Sequence, residues 1–253
     1  MPFLDIASHR IEYARVAAGD GQRPTLVFLH EGLGSIAMWR DFPALAARAT
    51  RCDAIVYSRY GYGNSDPLTE ARAVSYMHDE AEIALPQLLD RLAVDRPILL
   101  GHSDGGSIAL IHAARASSRV LGVVTLAAHV LVEDISVASI AAAKTSYETT
   151  DLRERLARYH ADVDSAFRGW NDIWLDPAFR DWNIEECLPR IRCPVLAIQG
   201  VDDEYGTLEQ MRRIDAGVRD AELLVLDDCR HSPHRDRPEA VLSAIAGFVR
   251  CVG

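Results

Sequence analysis

A serine set among closely spaced glycines is the residue of this chain best suited to nucleophilic chemistry. The stretch Gly101–Gly106 reads GHSDGG and fits the pattern G-x-S-x-G around Ser103. It follows the apolar run Pro97–Leu100 and precedes small residues typical of a helix packed on a sheet. In a strand–turn–helix of this kind the serine hydroxyl is raised over the sheet, and the helix N-terminus offers N–H groups to an oxyanion. The pattern therefore predicts that Ser103 is a nucleophile.

Acids and histidines that could activate this serine follow two later apolar runs. The candidates are Asp202, Asp203 and Glu204 after the run at 195–198, and His231 and His234 after the run at 223–226. Loops that leave the carboxyl ends of parallel strands meet at one edge of a sheet. A histidine there can act as general base toward Ser103 and then as acid toward the leaving group, while a carboxylate orients it.

The composition describes an acidic globular chain. It has 253 residues, of which 49% are hydrophobic and 25% charged, so disordered and fibrous classes are excluded and one large domain or two small ones are expected. Lys and Arg number 27 and Asp and Glu 37, which gives a net charge of −10. Nucleic acid and anionic membranes are therefore poor partners, and we expect a neutral or cationic small molecule.

The sequence contains no pattern typical of targeting or metal binding. No apolar run reaches the roughly 18 residues of a membrane span, and the first residues lack the features of a signal peptide. The five cysteines are Cys52, Cys187, Cys193, Cys229 and Cys251. They are odd in number and form no C-x-x-C pair, which favours reduced thiols over disulfides or zinc ligands. We expect a cytoplasmic protein without metal or cofactor, whose oligomeric state the sequence leaves open.

Short apolar runs alternate with helical patterns along most of the chain. The runs are Thr25–Leu29, Ala54–Tyr57, Pro97–Leu100, Val120–Leu126, Val195–Ile198 and Leu223–Leu226. Runs apolar at every position suit strands buried on both faces. The helical segments are Asp79–Leu92, which contains Pro86, Gly105–Ala114 and the amphipathic Arg237–Arg250. This alternation predicts an α/β fold, a mostly parallel sheet with helices on both faces.

The alternation stops between about His129 and Pro189. That stretch has no strand-like run and holds three of the four tryptophans, Trp170, Trp174 and Trp182. We expect residues 131–189 to form a helical lid inserted into a core made of residues 1–130 and 190–253. The alternative is a helical hairpin that only packs on the core.

The whole chain resembles the α/β-hydrolase superfamily. In that family the acid follows a G-x-x-D pattern and the histidine precedes x-P-x-x-[ED]-x-P. The resemblance selects Asp203 as the acid and His231 as the base. Arg59–Asp66 is similar to the family's R-G-x-G-x-S loop, which implies a structural turn beneath the site.

The segment HEGLG at 30–34 resembles the family's oxyanion loop, H-G-x-x-G. The resemblance implies that backbone N–H groups of Gly32 or Leu33, together with that of Asp104, hold the oxyanion. Glu31 stands where the family usually has glycine. Pointing inward it would disfavour negative charge beside the oxyanion loop; the alternative is that it points to solvent.

A closer similarity is to the valacyclovir hydrolase (biphenyl hydrolase-like) group of serine hydrolases. It is carried by Ser-Asp-Gly-Gly at 103–106, the helical stretch around Trp170 and the segment Leu188–Pro194. This group prefers α-amino-acid esters, and the acid after its nucleophile receives the substrate ammonium. The resemblance implies that role for Asp104. The alternative is that Asp104 only stabilises a helix N-terminus, by roughly 0.3–1 kcal/mol.

Several other side chains are candidates for the substrate pocket. They are Glu31, His129, Trp170 and Trp174. The two tryptophans are four residues apart and share a helix face, so they line the pocket or form the core of the lid. His129 lies where the strand at 120–126 should end, and it shapes the pocket or is structural. His102 and His112 are predicted to be packing residues.

We therefore expect hydrolysis of a small carboxylic ester through an acyl-serine intermediate. Ser103 attacks, His231 transfers the proton and Asp203 orients His231. The alternatives are a carbon–carbon bond hydrolase or lactonase with the same triad, and a ligand-binding receptor without catalysis. Carbon–carbon hydrolases of ring-cleavage products bind dianions and need nearby cations, whereas Asp104 and Glu31 flank this site.

Overall fold

A computed structural model describes residues 1–19, 23–116 and 119–252. Residues 20–22, 117–118 and 253 of the predicted core lie outside the described residues. Within the described residues, strands β1 to β8 form one sheet in the order β1-β2-β4-β3-β5-β6-β7-β8. They are Phe3–Ile6, His9–Val16, Thr25–Leu29, Ala54–Tyr57, Pro97–His102, Gly122–Leu126, Val195–Gly200 and Ala221–Leu226. β1 and β2 pair antiparallel, β2 joins β4 antiparallel, and all later pairs are parallel.

Helices cover both faces of the sheet and fill the segment between β6 and β7. The α-helices α1 to α10 are Phe42–Thr50, Tyr76–Asp79, Leu85–Arg91, Asp104–Arg115, Asp134–Thr149, Leu152–Leu156, Val163–Leu175, Glu209–Gly217, Pro233–Asp236 and Pro238–Val252. Short 3₁₀ turns are Ile36–Trp39, Pro177–Phe179 and Glu185–Arg190, and a π-helical turn is Glu80–Ala84. The predicted α/β architecture is confirmed. No described helix combines the length and apolar character needed to cross a membrane.

The central strands are buried on both faces, as their continuous apolar runs predict. Every residue of β4, β5, β6 and β7 is buried. The last strand differs, because β8 lies at the edge of the sheet. Leu223 is 37% exposed and Val225 45% exposed, so the prediction that this run is buried on both faces is wrong.

The helix predicted over Asp79–Leu92 begins earlier and contains a π turn. It runs from α2 through Glu80–Ala84 into α3. Pro86 lies near the start of α3, and the Leu85 N–H reaches back to the carbonyl of Glu80. Proline has no N–H to donate and its ring crowds the preceding turn, which accounts for the wider turn at this point. The helix continues because the neighbouring Leu85, Leu88 and Leu89 are buried in the core.

Candidate active site

Ser103 occupies a sharp turn between β5 and α4. Its φ of 52° lies in the left-handed region that residues other than glycine rarely adopt. A Cβ atom at Gly101 would overlap the backbone of Gly105, and one at Gly105 would overlap the backbone of Leu29. The glycines therefore allow β5, α4 and the end of β3 to approach closely enough to make this turn. The turn places Ser103 at the carboxyl edge of the sheet.

The loops after β7 and β8 bring an acid and a histidine together at the same edge. Oδ1 of Asp203 lies 2.8 Å from Nδ1 of His231. The loops can approach because a Cβ at Gly200 would overlap the backbone of Cys229. Asp202 is exposed, whereas the carboxylate of Glu204 accepts the backbone N–H of His231 at 3.2 Å and not a ring N–H. Asp203 is thus the acid that contacts the imidazole ring.

The Asp203 carboxylate is buried and held by several donors. It accepts the backbone N–H of Tyr205 at 2.9 Å and the side-chain amide of Gln199 at 3.1 Å. Burial alone would raise the pKa of Asp203, but the hydrogen bond and charge of His231 and the Tyr205 N–H outweigh it and lower the pKa. An ionised Asp203 requires the hydrogen of a neutral His231 to be on Nδ1, which leaves Nε2 as an acceptor.

Ser103 and His231 open into one small cavity of about 120 Å³. Its lining residues are Glu31, Gly32, Leu33, His102, Ser103, His129, Ile140, Trp170, Trp174, Tyr205, His231 and Ser232. Neither Ser103 Oγ nor His231 Nε2 forms a hydrogen bond within the described chain. Such a pair is often long without substrate and tightens when substrate binds. Larger crevices, of about 330 and 490 Å³, lie away from Ser103.

Backbone donors lie close to Ser103: Gly32 and Leu33 line the cavity, and Asp104 directly follows Ser103 in the chain. The N–H groups of Gly32, Leu33 and Asp104 donate no hydrogen bond among the described residues. Asp104 begins α4, so its N–H has no partner within the helix and carries the positive end of the helix dipole. These N–H groups are available to a ligand oxygen, as an oxyanion hole requires.

Arg59 holds the loop that carries these donors. Its guanidinium donates to the carbonyl oxygens of His30 and Glu31 at 3.2 and 3.0 Å. Its backbone N–H donates to Nε2 of His30, so the hydrogen of that ring is on Nδ1 and is donated to the Glu31 carbonyl at 2.7 Å. Burial, with the charge of Arg59, keeps the pKa of His30 well below its usual value. The Arg59 loop therefore supports the site from below.

The structure does not bring the Asp104 carboxylate into the cavity. Its side chain is fully buried; Oδ2 accepts the Tyr76 hydroxyl at 2.7 Å and lies 3.8 Å from the Arg59 guanidinium. Trp174 donates its indole N–H to the same hydroxyl at 3.0 Å. At the start of α4 this side chain therefore points into the interior, toward Tyr76 and Arg59. From the sequence we expected Asp104 to receive a substrate ammonium group. In the structure its carboxylate is buried and does not line the cavity, so a substrate there does not reach it.

Glu31 is the acid that does line the cavity. Its side chain is 18% exposed and Oε2 lies 3.4 Å from Nδ1 of His102. Burial would raise the pKa of Glu31, but the contact with His102 and the charges of His102, His30 and Arg235 outweigh burial and hold the pKa well below its usual range. The carboxylate is therefore ionised. The alternative that Glu31 simply points to solvent does not describe this geometry.

His129 and the two predicted tryptophans also face the cavity. His129 packs against Trp174 with ring centroids 5.1 Å apart and lies 5.7 Å from the His231 ring. Burial, with the charge that His231 can carry, lowers the pKa of His129 to about 3, so its ring is neutral. Trp170 covers Gly32, where a Cβ would overlap the indole. Both tryptophans are less than a tenth exposed, so they serve the core and the cavity together.

Sequence reasoning missed four lining residues. They are His102, Ile140, Tyr205 and Ser232. His102 was predicted to be a packing residue, yet its position directly before Ser103 places it at the cavity wall. Ile140 comes from α5, whose direction over the sheet no local pattern indicates. His234 is buried against Trp39 and outside the cavity, whereas His231 lies in it.

Comparison with known proteins identifies the family. The model of the alpha/beta hydrolase family matches residues 26–244, and the chain belongs to this family. It is therefore a hydrolase with the α/β-hydrolase fold.

Two curated relatives show what the chain is similar to. It is 26% identical over 260 residues to a putative carbamate hydrolase RutD of Caulobacter sp., covering 94% of this chain and 95% of the relative. It is 27% identical over 185 residues to the human serine hydrolase BPHL, covering 71% of this chain and 63% of that protein. The second similarity is the one that the motif at 103–106 indicates.

Solved structures share the fold at lower identity. A carboxylesterase structure from Nitrososphaera gargenis has a TM-score of 0.80 at 20% identity, covering 99% of this chain and 98% of that one. The enol-lactonase of Burkholderia xenovorans LB400 has a TM-score of 0.76 at 20% identity, covering 98% and 100%. At this identity the similarity establishes the fold alone.

Proposed function

We propose that this hydrolase cleaves small carboxylic esters through an acyl-serine intermediate. Ser103 is the nucleophile, His231 the general base and acid, and Asp203 the residue that orients and stabilises His231. The observation that carries the proposal is the Asp203–His231 hydrogen bond of 2.8 Å at the cavity that also holds the strained Ser103.

The reaction follows from these positions. His231 Nε2 takes the hydroxyl proton as Ser103 Oγ attacks the ester carbon, and the carbonyl oxygen becomes an oxyanion among the N–H groups of Gly32 or Leu33 and Asp104. The imidazolium, stabilised by Asp203, gives its proton to the leaving alkoxide. Water then attacks the acyl-serine by the same steps, and the acid product leaves.

The helical segment between β6 and β7 is proposed to act as a lid over residues 1–130 and 190–253. Ile140 of α5 and Trp170 and Trp174 of α7 contribute to the cavity wall. The cavity of about 120 Å³ is smaller than the roughly 300–1,000 Å³ of drug-sized sites, which favours a short acyl group.

We further propose a preference for esters that carry an α-ammonium group, received by Glu31. This carboxylate is ionised, and the cavity lining contains no Lys or Arg among the described residues. The same balance of charge disfavours the dianions of carbon–carbon bond hydrolases. The curated relative named BPHL is itself a serine hydrolase, which is in keeping with the proposed nucleophile.

The first experiment combines labelling with turnover. The wild-type chain should react with a fluorophosphonate at Ser103, as peptide mass mapping would show, and should hydrolyse short p-nitrophenyl esters. Ser103→Ala should abolish labelling and lower kcat by at least about 10³-fold. A wild-type chain that neither reacts with the phosphonate nor hydrolyses the esters would favour the receptor alternative.

The second experiment compares two esters that share alcohol and side chain and differ only in an α-ammonium group. We expect a preference for the ammonium ester of about tenfold in kcat/KM, equivalent to about 1.4 kcal/mol. Glu31→Gln should remove most of that preference. Equal kcat/KM on both esters would contradict the proposed preference for the ammonium group and would support an esterase that does not distinguish substrates by charge.

A further inference from the structure

We propose that His102 and Glu31 form a positioning pair that holds the loop of His231 against the nucleophile turn. The inference rests on the proposed function, since it assigns a role relative to the catalytic histidine. It concerns neither the triad nor the oxyanion donors. On a neutral ester the pair would act through the backbone of His231, without touching substrate atoms.

The hydrogen bond of His102 fixes where its ring carries a hydrogen. Nε2 of His102 lies 2.7 Å from the carbonyl oxygen of His231. A carbonyl oxygen only accepts, so Nε2 carries the hydrogen and donates it. His102 is the last residue of β5 and directly precedes Ser103. The bond therefore joins the backbone that sets the nucleophile to the backbone that sets the base.

Glu31 completes the arrangement from the opposite side of the ring. Its Oε2 lies 3.4 Å from Nδ1 of His102, which is only 2% exposed. The carboxylate thus lies at the edge of the ring opposite to Nε2, the atom that donates to the His231 carbonyl. Because the buried ring lies between these two contacts, it is held in the orientation that keeps Nε2 on the carbonyl oxygen.

None of the other described groups found near the His102 ring is a carboxylate that could take the place of Glu31. The rings of His231 and His234 lie 5.2 and 5.0 Å away, and Trp39 lies 6.2 Å away. Burial, with the charge of His102, keeps the pKa of His234 well below its usual value, so that ring stays neutral. Arg235 adds positive charge near Glu31. Glu31 is the acid in contact with the His102 ring.

The consequence is that three loops meet at one side chain. His102 contacts the oxyanion loop through Glu31 and the base loop through His231, and it adjoins Ser103 by the chain itself. A misplacement of about 1 Å between nucleophile and base can cost on the order of 10²-fold in rate. Removing the His102 donor should therefore lower kcat more than it changes KM.

The test compares His102→Leu, which loses the donor, with His102→Gln, which keeps a side-chain N–H at similar reach. Turnover is measured on a neutral ester, so that an ammonium group on the substrate plays no part. We expect His102→Leu to lower kcat by at least about tenfold, or about 1.4 kcal/mol, with KM within about twofold. His102→Gln should recover most of kcat. Glu31→Gln should also lower kcat, by a smaller factor than His102→Leu.

The matched control is His112→Leu. His112 is also a buried histidine whose ring lies 2.7 Å from a backbone carbonyl oxygen, that of Ala81, but it is remote from the cavity. This substitution should lower the free energy of unfolding without changing kcat. If His102→Leu and His112→Leu affect stability and kcat alike, or if His102→Gln fails to recover kcat in a folded protein, the inference is wrong.

A spectroscopic measurement separates this inference from the proposed function. In ¹⁵N-histidine NMR spectra, the His102 ring should show a hydrogen on Nε2 that exchanges slowly with solvent and disappears in His102→Leu. A wild-type chain without esterase activity would overturn the proposed function. A His102 ring with its hydrogen on Nδ1 alone would overturn the positioning pair, whatever the activity.

Discussion

The indole ring of Trp170 lies directly on the α-carbon of Gly32, so that α7 covers the loop whose Gly32 and Leu33 line the cavity with Ser103. A Cβ atom at Gly32 would overlap the ring. We predict that Gly32→Ala displaces either the tryptophan or the loop. Since losing one oxyanion donor typically costs about 10²–10³-fold in kcat, we expect kcat on a neutral ester to fall by at least about tenfold.

The control for this prediction is Gly247→Ala in α10. A Cβ there would meet only the flexible end of Arg250, 3.8 Å away. Alanine favours a helix over glycine by about 1 kcal/mol, so this variant should be as stable as the wild type or more stable, with unchanged kcat. A Gly32→Ala variant that keeps wild-type kcat would show that the loop adjusts without moving its donors.

The role proposed for Asp203, the acid of the proposed triad, is tested by comparing two neighbouring aspartates. Asp203→Asn replaces the acceptor of the His231 Nδ1 hydrogen with an amide, which can hold the ring in the wrong tautomer. We expect kcat to fall on the order of 10³–10⁴-fold, as in other serine hydrolases with this change. The exposed neighbour provides the comparison, because Asp202→Asn should leave kcat within about twofold of wild type. Similar losses in both variants would argue for a general effect of charge in this loop.

The pattern of apolar runs was sufficient to predict most of the fold. Strands buried on both faces favour apolar side chains along their whole length, and β4 to β7 are apolar except for the buried polar residues His102, Thr125 and Gln199. The N-terminal hairpin of β1 and β2 was not predicted, because exposed, half-buried and charged residues interrupt it and leave no continuous apolar run. The prediction that the run at 223–226 is buried on both faces failed for a related reason. An edge strand can expose apolar residues such as Leu223 and Val225, and no local pattern distinguishes them from buried ones.

Some features of the candidate site could likewise be predicted from the sequence, and others could not. Ser103, Asp203 and His231 follow strand ends, so sequence order and motif spacing were sufficient to place them at one edge. The direction of the Asp104 side chain depends on Tyr76 and Arg59, which come from distant parts of the chain. Motif spacing contains no information about that contact, and the acid that lines the cavity is Glu31 instead.

The buried Asp104 leads to a prediction about stability rather than specificity. Asp104→Asn would leave the Arg59 guanidinium without its carboxylate in the interior, and removing one partner of a buried pair costs about 3–5 kcal/mol. We expect a large loss in the free energy of unfolding, measured in urea. We also expect kcat/KM to fall equally for ammonium and neutral esters in the folded fraction. A selective loss on the ammonium ester alone would instead restore Asp104 as the ammonium receptor.

The buried, neutral His129 predicts a loss of stability in acid. Its pKa is lowered from 6.5 to about 3 in the folded protein, chiefly by burial. At pH values between these two, the unfolded chain binds a proton at residue 129 that the folded chain does not bind. The free energy of unfolding should therefore fall as the pH falls below 6.5, by up to about 1.4 kcal/mol per pH unit from this residue. Above pH 6.5 the residue contributes no pH dependence.

His129→Gln removes this titration while keeping a polar side chain. Urea unfolding at pH 7, 6, 5 and 4 should show a shallower acid decline for the variant than for the wild type. The difference in stability between the two proteins at pH 7 should accordingly shrink as the solution is acidified. The remaining decline is expected from other buried histidines with a lowered pKa, which are His30, His112, His160 and His234. Parallel curves for the two proteins would mean that His129 is protonated equally in the folded and unfolded states, contrary to its burial.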